Sequence, residues 1–185
     1  MTKQENPLLA KSNLAHGAIP FDKIQFKHFS SAFEAAIQDA RQRYDQIRNT
    51  GGAPTFENTI LAMDQAEECL DHVGSVFFNQ LNAHTSDQHQ AFAQEISPKL
   101  SAFQSDILLD EKLFEHVKSV YENRKTLEAE AARLTDRTYK ACARNGALLS
   151  GQDKETLRKL DQELSQLRVQ LSLIHISEPT RQLCI

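Results

Sequence analysis

The chain has 185 residues, and its hydrophobic fraction of 40% and charged fraction of 25% are close to those of an average globular protein. A net charge of −4, with basic residues interspersed among acidic ones, gives no electrostatic reason to expect nucleic acid as a partner. Glycine and proline are scarce and helix-favouring side chains dominate, so the composition favours helices over strands.

Residues 1–28 are predicted to form an extended leader. Pro7 and Pro20 disfavour helix in the residues just before them. We expect this leader to lie across other parts of the structure.

The first long helix is predicted over residues 29–48. Its apolar residues recur at helical spacing and make one stripe, which consists of Phe29, Phe33, Ala36, Ile37, Ala40, Tyr44 and Ile47. Ser31 and Glu34 have the spacing of a capping box, and Gly51 and Gly52 supply the stop.

A second helix is predicted from Thr55, a suitable N-cap, to about Ala83. Gly74 lies inside it, where glycine costs about 1 kcal/mol relative to alanine. A close contact with another helix is the usual reason for such a glycine, and we expect one here.

Phe77 and Phe78 point about 100° apart on a helix, so burial of both predicts contact with protein outside this chain. The phenylalanine-rich stripes of the first three helices predict the same.

A third helix is predicted over residues 86–109, with a kink at Pro98. Asp110 is a candidate cap for the next helix. That helix is predicted to run to about Asn145, where Asn145-Gly146 is a stop, with a break near residues 124–128.

The last helix is predicted to open near Asp153. Leucines follow at 3-4-3 spacing, the pattern of a helix–helix seam, at Leu157, Leu160, Leu164 and Leu167. Two heptads are too few for a free coiled coil, so the pattern favours a packed helix hairpin.

The tail departs from this pattern. Residues 171–181 resemble an in-frame translation of the transposon-end adapter used in sequencing libraries, and residues 182–185 would be further read-through. We therefore expect residues 171–185 to be non-native and exclude them from fold reasoning. A genuine amphipathic end is the alternative.

Three cysteines, Cys69, Cys142 and Cys184, form no C-x-x-C pair, which favours free thiols in a reducing compartment. The chain shows no signal-peptide core and no stretch near the roughly 20 apolar residues of a membrane span. We expect a cytoplasmic chain with no membrane partner.

An ordered series of short motifs runs through residues 6–170. It consists of Asn6-Pro7-Leu8-Leu9, Pro20-Phe21-Asp22-Lys23-Ile24, His28 with Ala32-Phe33-Glu34, Pro54-Thr55-Phe56-Glu57-Asn58-Thr59-Ile60, Ser75-Val76-Phe77-Phe78, Ala83-His84-Thr85, Leu113-Phe114, and Arg144-Asn145-Gly146-Ala147-Leu148-Leu149-Ser150. The series resembles the first quarter of the thimet-oligopeptidase-like zinc metallopeptidases. Within that family, it resembles the peptidyl-dipeptidase (dipeptidyl carboxypeptidase) branch more than the oligopeptidase A branch.

The resemblance implies an all-α fold, in which antiparallel helical hairpins form part of the N-terminal lobe of a larger helical peptidase. In such a protein, two lobes surround a deep channel that admits short peptides, and zinc in the full-length parent hydrolyses the peptide bond. The peptidyl-dipeptidase branch releases dipeptides from a free C-terminus. The implied partners are short peptides and the remainder of the parent chain.

That chemistry needs H-E-x-x-H on a helix, because two histidines four residues apart bind zinc and the glutamate activates water. None of the seven histidines is followed by glutamate, and no two are four apart. We therefore predict no catalytic, cofactor-binding or metal-binding residue in the chain, and no activity of the 185 residues alone.

Three other groups of residues could be considered as metal-binding or catalytic sites, but we interpret them as structural. We expect His72, His84 and His89 to be surface or helix-terminal residues, with a capping role for His84. The acidic residues Asp64, Glu67, Glu68 and Asp71 are interpreted as a solvated face. Cys69 lacks an adjacent histidine that could act as a base.

Two hypotheses follow. The first is an N-terminal fragment of a zinc metallopeptidase. The alternative is a stand-alone helical module that binds a partner through the leucine seam.

Overall fold

The computed structural model describes residues 6–177, with side chains for residues 6–171. Over that range the chain folds into helices and their connections, which confirms the predicted all-α fold. The helices are α1 (Lys27–Arg48), α2 (Ala62–Ala66), α3 (Glu68–Ala83), α4 (Asp87–Leu108), α5 (Glu111–Glu122), α6 (Ala129–Arg144) and α7 (Gly151–Ser177). None of the helices described is both long enough and apolar enough to cross a membrane. The adapter-like tail begins on α7 and lies outside the described residues from residue 178, so its origin stays a prediction.

The apolar face of α1 lies at the centre of the structure. Its phenylalanines Phe29 and Phe33 are fully buried. Phe77 of α3 meets both of them edge to face, with ring centroids 5.1 and 5.7 Å apart, and lies 5.2 Å from Phe92 of α4. Such pairs contribute about 0.5–1.5 kcal/mol each beyond the area they bury. The expectation that these rings need protein outside the chain is wrong for Phe29, Phe33 and Phe77, because α1, α3 and α4 bury them together.

The leader is fastened to the start of α1 by a buried asparagine. The amide nitrogen of Asn6 donates to the carbonyl oxygen of His28 at 2.8 Å and to the hydroxyl of Ser31 at 3.1 Å. The amide oxygen of Asn6 accepts from the backbone N–H of Leu8 at 3.0 Å, and Leu8 is buried in the core. A buried amide that satisfies both its donor and its acceptor holds the leader against the bundle.

Two of the predicted helix caps are confirmed and one is wrong. Thr55 forms a capping box with Asn58, and Asp110 accepts from the N–H of Leu113 at 2.8 Å. The capping box predicted at Ser31 does not form, because α1 begins at Lys27 and Ser31 lies inside it.

The second predicted helix is divided into three parts. Residues Phe56–Leu61 form a π-helical turn, α2 follows, and α3 begins after a break at Glu67. The apolar spacing of the sequence does not reveal the break. It lies at Glu67, which has φ of −100° and ψ of 3° and accepts a hydrogen bond from Tyr44 of α1. A break is also present where the sequence predicts it, since a short 3-10 turn at Arg124–Thr126 separates α5 from α6.

Gly146 and Gly74 have different structural roles. Gly146 has φ of +95° and ends α6 in a Schellman arrangement, in which the N–H of Ala147 donates to the carbonyl of Cys142 at 3.0 Å. Gly74 lies in α3, and a Cβ atom added there would meet no atom within 4 Å. The close helix contact predicted at Gly74 is therefore absent among the described residues.

α7 is attached through polar side chains and through Val169, which packs against the main hydrophobic core. Arg158 pairs with Asp106 of α4, and Ser101 of α4 donates to the carbonyl of Asp161 at 3.2 Å. Lys154 is 7% exposed and pairs with Glu111 of α5 at 3.0 Å.

Of the leucine seam predicted for a helix hairpin, Leu157 is half-buried beside Gly146, whereas the other three leucines face outward. Leu160 is 56% exposed, Leu164 44% and Leu167 59%. The physical reason is that α4 offers α7 a row of serines, which favours the polar stripe of α7 over its apolar one.

The contrast between the two glycines gives a paired stability prediction. Gly74→Ala should raise the free energy of unfolding by about 0.5–1 kcal/mol, because the helix interior gains a better helix former and the new Cβ meets open space. Gly146→Ala should lower it by more than about 1 kcal/mol, because φ is positive and the Cβ would lie 2.5 Å from Leu157. Urea unfolding measures both changes, and equal effects would contradict this account.

A second prediction concerns Asp106, which pairs with Arg41 of α1 at 3.0 Å as well as with Arg158 of α7. Because the carboxylate is partly exposed, Asp106→Asn should weaken the docking of α7 by only about 1 kcal/mol. The amides of α7 should then exchange about fivefold faster while those of α3 keep their rates. In the matched control, Glu95→Gln removes a carboxylate that pairs within α4, with Lys99. If the control changes α7 exchange as much as Asp106→Asn, the pair does not hold α7.

Candidate functional site

The three histidines weighed as metal ligands lie in different surroundings. His72 lines a groove of about 590 Å³ beneath the leader, together with Cys69 and Arg43. His84 ends α3, and the bond there is made by its backbone N–H to the carbonyl of Gln80 at 2.8 Å. The predicted helix-terminal position of His84 is therefore confirmed. The hydrogen bond at this helix end, however, is donated by the backbone N–H of His84 and not by its imidazole.

His89 packs into the aromatic core. Its ring lies 5.1 Å from that of Phe26 and 6.0 Å from that of Phe77. One ring nitrogen, Nδ1, is 2.8 Å from the hydroxyl of Ser86, the N-cap of α4. Burial and, to a smaller degree, the neighbouring His84 lower the pKa of His89. The ring therefore favours its neutral form and serves as an aromatic packing partner.

Zinc does not fit the residues of this chain. Among residues 6–177, no group of three or more His, Cys, Asp or Glu side chains is placed to hold a metal ion. The full sequence also lacks the zinc-binding motif H-E-x-x-H.

The two cysteines that the structure describes lie in different surroundings. Cys142 is buried, and burial raises its pKa to about 11, so it remains a thiol at neutral pH. Cys69 is half-buried in the groove beneath the leader.

A buried tyrosine and a half-buried glutamate form the most distinctive polar contact. The hydroxyl of Tyr44 on α1 donates to a carboxylate oxygen of Glu67 at 2.5 Å. Burial, and next the negative charge of Glu67, raise the pKa of Tyr44, so its hydroxyl stays protonated and remains a donor. Burial also raises the pKa of Glu67, although the hydrogen bond from Tyr44 acts in the opposite direction.

This pair corrects one interpretation of the sequence. Glu67 is not part of a solvated acidic face, whereas Asp64, Glu68 and Asp71 are exposed. The available signal was Tyr44 itself, because a tyrosine at the end of an apolar stripe needs a partner for its hydroxyl. Only the tertiary structure shows that the partner is Glu67, at the break between α2 and α3.

Glu67 stands at one side of a groove between α3 and α4. The groove has a volume of about 410 Å³ and is lined mainly by apolar side chains, and Gly74 is among its lining residues. Phe33, Leu70, Phe78, Leu100 and Phe103 supply these walls. Such a surface can receive an apolar group, but it presents no nucleophile paired with a base.

The amino-acid sequence of the chain is similar to those of two curated bacterial dipeptidyl carboxypeptidases. Over 169 residues, the chain is 36% identical to the dipeptidyl carboxypeptidase of Salmonella typhimurium and 35% identical to that of Escherichia coli. Each match covers 90% of this chain and 25% of the relative, so the chain spans about a quarter of the length of these curated relatives. The chain is thus homologous to a segment of dipeptidyl carboxypeptidases, as the motif series indicates.

A shorter similarity exists to a different protein. The chain is 32% identical over 102 residues to the UDP-N-acetylmuramate–L-alanine ligase of Lactococcus lactis, which covers 52% of this chain. The dipeptidyl carboxypeptidase matches extend over much more of the chain at higher identity, so they carry more weight than the ligase match. No family model matches the chain.

The raised pKa of Glu67 predicts a pH-dependent effect of its removal. Folding favours the protonated form, so the contribution of Glu67 to stability is greatest below its ordinary pKa of 4.5 and is lost as pH rises through its folded pKa. Glu67→Gln keeps an acceptor for Tyr44 and cannot ionise. The melting temperature of the variant relative to the native chain should therefore be higher at about pH 7 than at about pH 4.

The matched control is Glu68→Gln, which changes the exposed neighbouring carboxylate. Its melting temperature relative to the native chain should be the same at both pH values. A Glu67→Gln difference that does not vary with pH would show that burial of this carboxylate does not affect stability.

Proposed function

Because the chain is homologous to one quarter of dipeptidyl carboxypeptidases, we propose that it is the N-terminal part of a cytoplasmic zinc metallopeptidase. The full-length parent hydrolyses short peptides and releases dipeptides from their C-termini. The single observation that carries this proposal is the match at 35–36% identity over 90% of the chain. The motif series in the sequence supports the same family and the same branch.

The role proposed for these helices is that of a scaffold. α1, α3 and α4 bury a shared aromatic core, so they can form a stiff wall for a peptide channel. The zinc site belongs to the remainder of the parent chain, since H-E-x-x-H is absent from these residues. The chain by itself is catalytically inert.

The alternative function is a stand-alone helical module that binds another protein. The observation that favours it is the exposed row of leucines on α7, since an exposed apolar row is a common mark of an interaction surface. Residues 1–170 would distinguish the two functions. A monomer that melts cooperatively supports the module, and a chain that binds a hydrophobic dye and aggregates supports a fragment that lacks its neighbours.

The fragment proposal makes a direct activity prediction. The purified 185-residue chain should cleave no short peptide, with or without added zinc, while the dipeptidyl carboxypeptidase of Escherichia coli cleaves the same peptides as a positive control. Release of dipeptides detected by mass spectrometry, if abolished by a chelator, would overturn the assigned inertness.

The family assignment has its own test in the source gene. The reading frame that follows codon 170 should continue for about three times the length of the matched segment and should encode H-E-x-x-H. A continuous native frame without that motif would remove the zinc peptidase from consideration.

A further inference from the structure

The exposed leucines of α7 form a regular stripe, here called the leucine face and defined as Leu160, Leu164 and Leu167. At 3.6 residues per turn these positions lie within about 60° of one another around the helix. All three are large apolar side chains that are 44–59% exposed. Three aligned exposed leucines make a continuous apolar surface and not a scatter of single residues.

The leucine face lies beside the face by which α7 is attached, and Leu164 at its edge also lines the groove between α4 and α7. Lys154, Arg158 and Asp161 point to α4 and α5, where they form the ion pairs and hydrogen bonds described above. Lys154 and Arg158 lie about 80° or more round the helix from the leucines, and Asp161 lies about 60° from Leu164. α7 therefore has one polar stripe that is used inside the chain and one apolar stripe that is uncovered.

The spacing of the stripe indicates the kind of surface that would cover it. Alternation of three and four residues keeps one row of side chains facing a neighbouring helix. An apolar stripe of this width matches the stripe of a second amphipathic helix. Among residues 6–171, every other helix has its own apolar face buried elsewhere, and none covers the leucine face.

We propose that the leucine face is the docking site of an amphipathic helix that belongs to the remainder of a full-length parent chain. This inference rests on the proposed function. Each curated relative is about four times as long as the matched segment, so ample chain exists to supply the helix. In a full-length parent, a helix of the same chain would meet the leucine face at the high effective concentration of an intramolecular contact.

The test compares α7 in two settings with a single set of variants. The leucine variant is Leu160→Gln, Leu164→Gln and Leu167→Gln combined, because glutamine has nearly the helix propensity of leucine. The control variant changes Gln152, Gln166 and Gln170 to alanine, three exposed positions of α7 outside the leucine face. Both variants should keep the helix content of the native chain.

The first setting is the 185-residue chain alone. The native chain should bind the dye ANS and associate without a fixed stoichiometry, the leucine variant should bind clearly less dye and associate less, and the control variant should match the native chain. A dimer that the leucine variant dissociates would assign the face to a second copy and overturn the proposal. Dye binding that is the same in all three proteins would show that the leucines are not exposed together.

The second setting is a chimera in which residues 1–170 replace the matching segment of the Escherichia coli dipeptidyl carboxypeptidase. The amides of α7 should exchange about tenfold more slowly in the chimera than in the isolated chain, as expected for a helix that has gained a packed neighbour. The leucine variant should remove this protection, and the control variant should keep it. Equal exchange in the two settings, or a chimera that fails to assemble with native leucines, would overturn the proposal.

Peptidase activity separates this inference from the proposed function. A chimera that cleaves peptides but shows no leucine-dependent protection supports the peptidase assignment and rejects the docking face. A source gene without H-E-x-x-H rejects the peptidase assignment, whatever the exchange data show about α7.

Discussion

Burial of the apolar face of α1 is the constraint on which the rest of the structure depends. Phe29 and Phe33 are inaccessible to water only because α3 and α4 close over them with Phe77 and Phe92. The polar contacts at both ends of α1 follow from this burial. At the start, Asn6 bonds to the first turn and draws the leader onto the core, and at the other end Tyr44 needs an acceptor, which Glu67 supplies. The break between α2 and α3 lies at that acceptor.

α7 is attached in a different way. Apart from Val169, which packs against the core, its contacts with α4 and α5 include ion pairs and serine hydrogen bonds. Such polar contacts contribute less each than buried apolar side chains and are partly screened by salt. The helix thus has an attachment that leaves its most apolar stripe in water. Taken with homology to a quarter of much longer relatives, this arrangement agrees with a segment whose outer surface is completed by other parts of a parent chain.

Much of the fold could be predicted from local patterns. The all-α class, the cap at Thr55, the cap at Asp110 and the stop at Gly146 each depend on residues within a few positions of one another, so the sequence contains the whole cause. The motif series likewise predicted the family found by comparison, because order and spacing are properties of the sequence. For the candidate site, the lack of H-E-x-x-H was readable directly, but the Tyr44–Glu67 pair was not, since it joins positions 23 residues apart.

Which apolar stripes are covered was decided by the tertiary structure alone. The sequence identified the phenylalanine stripes and the leucine seam correctly as apolar faces, yet predicted an outside partner for the first and an internal one for the second. The structure reverses this, because the rings of α1, α3 and α4 fill one another's gaps while α4 presents serines to α7. Periodicity determines that a helix has an apolar side, but only the shape and polarity of the neighbouring surface determine whether that side is buried.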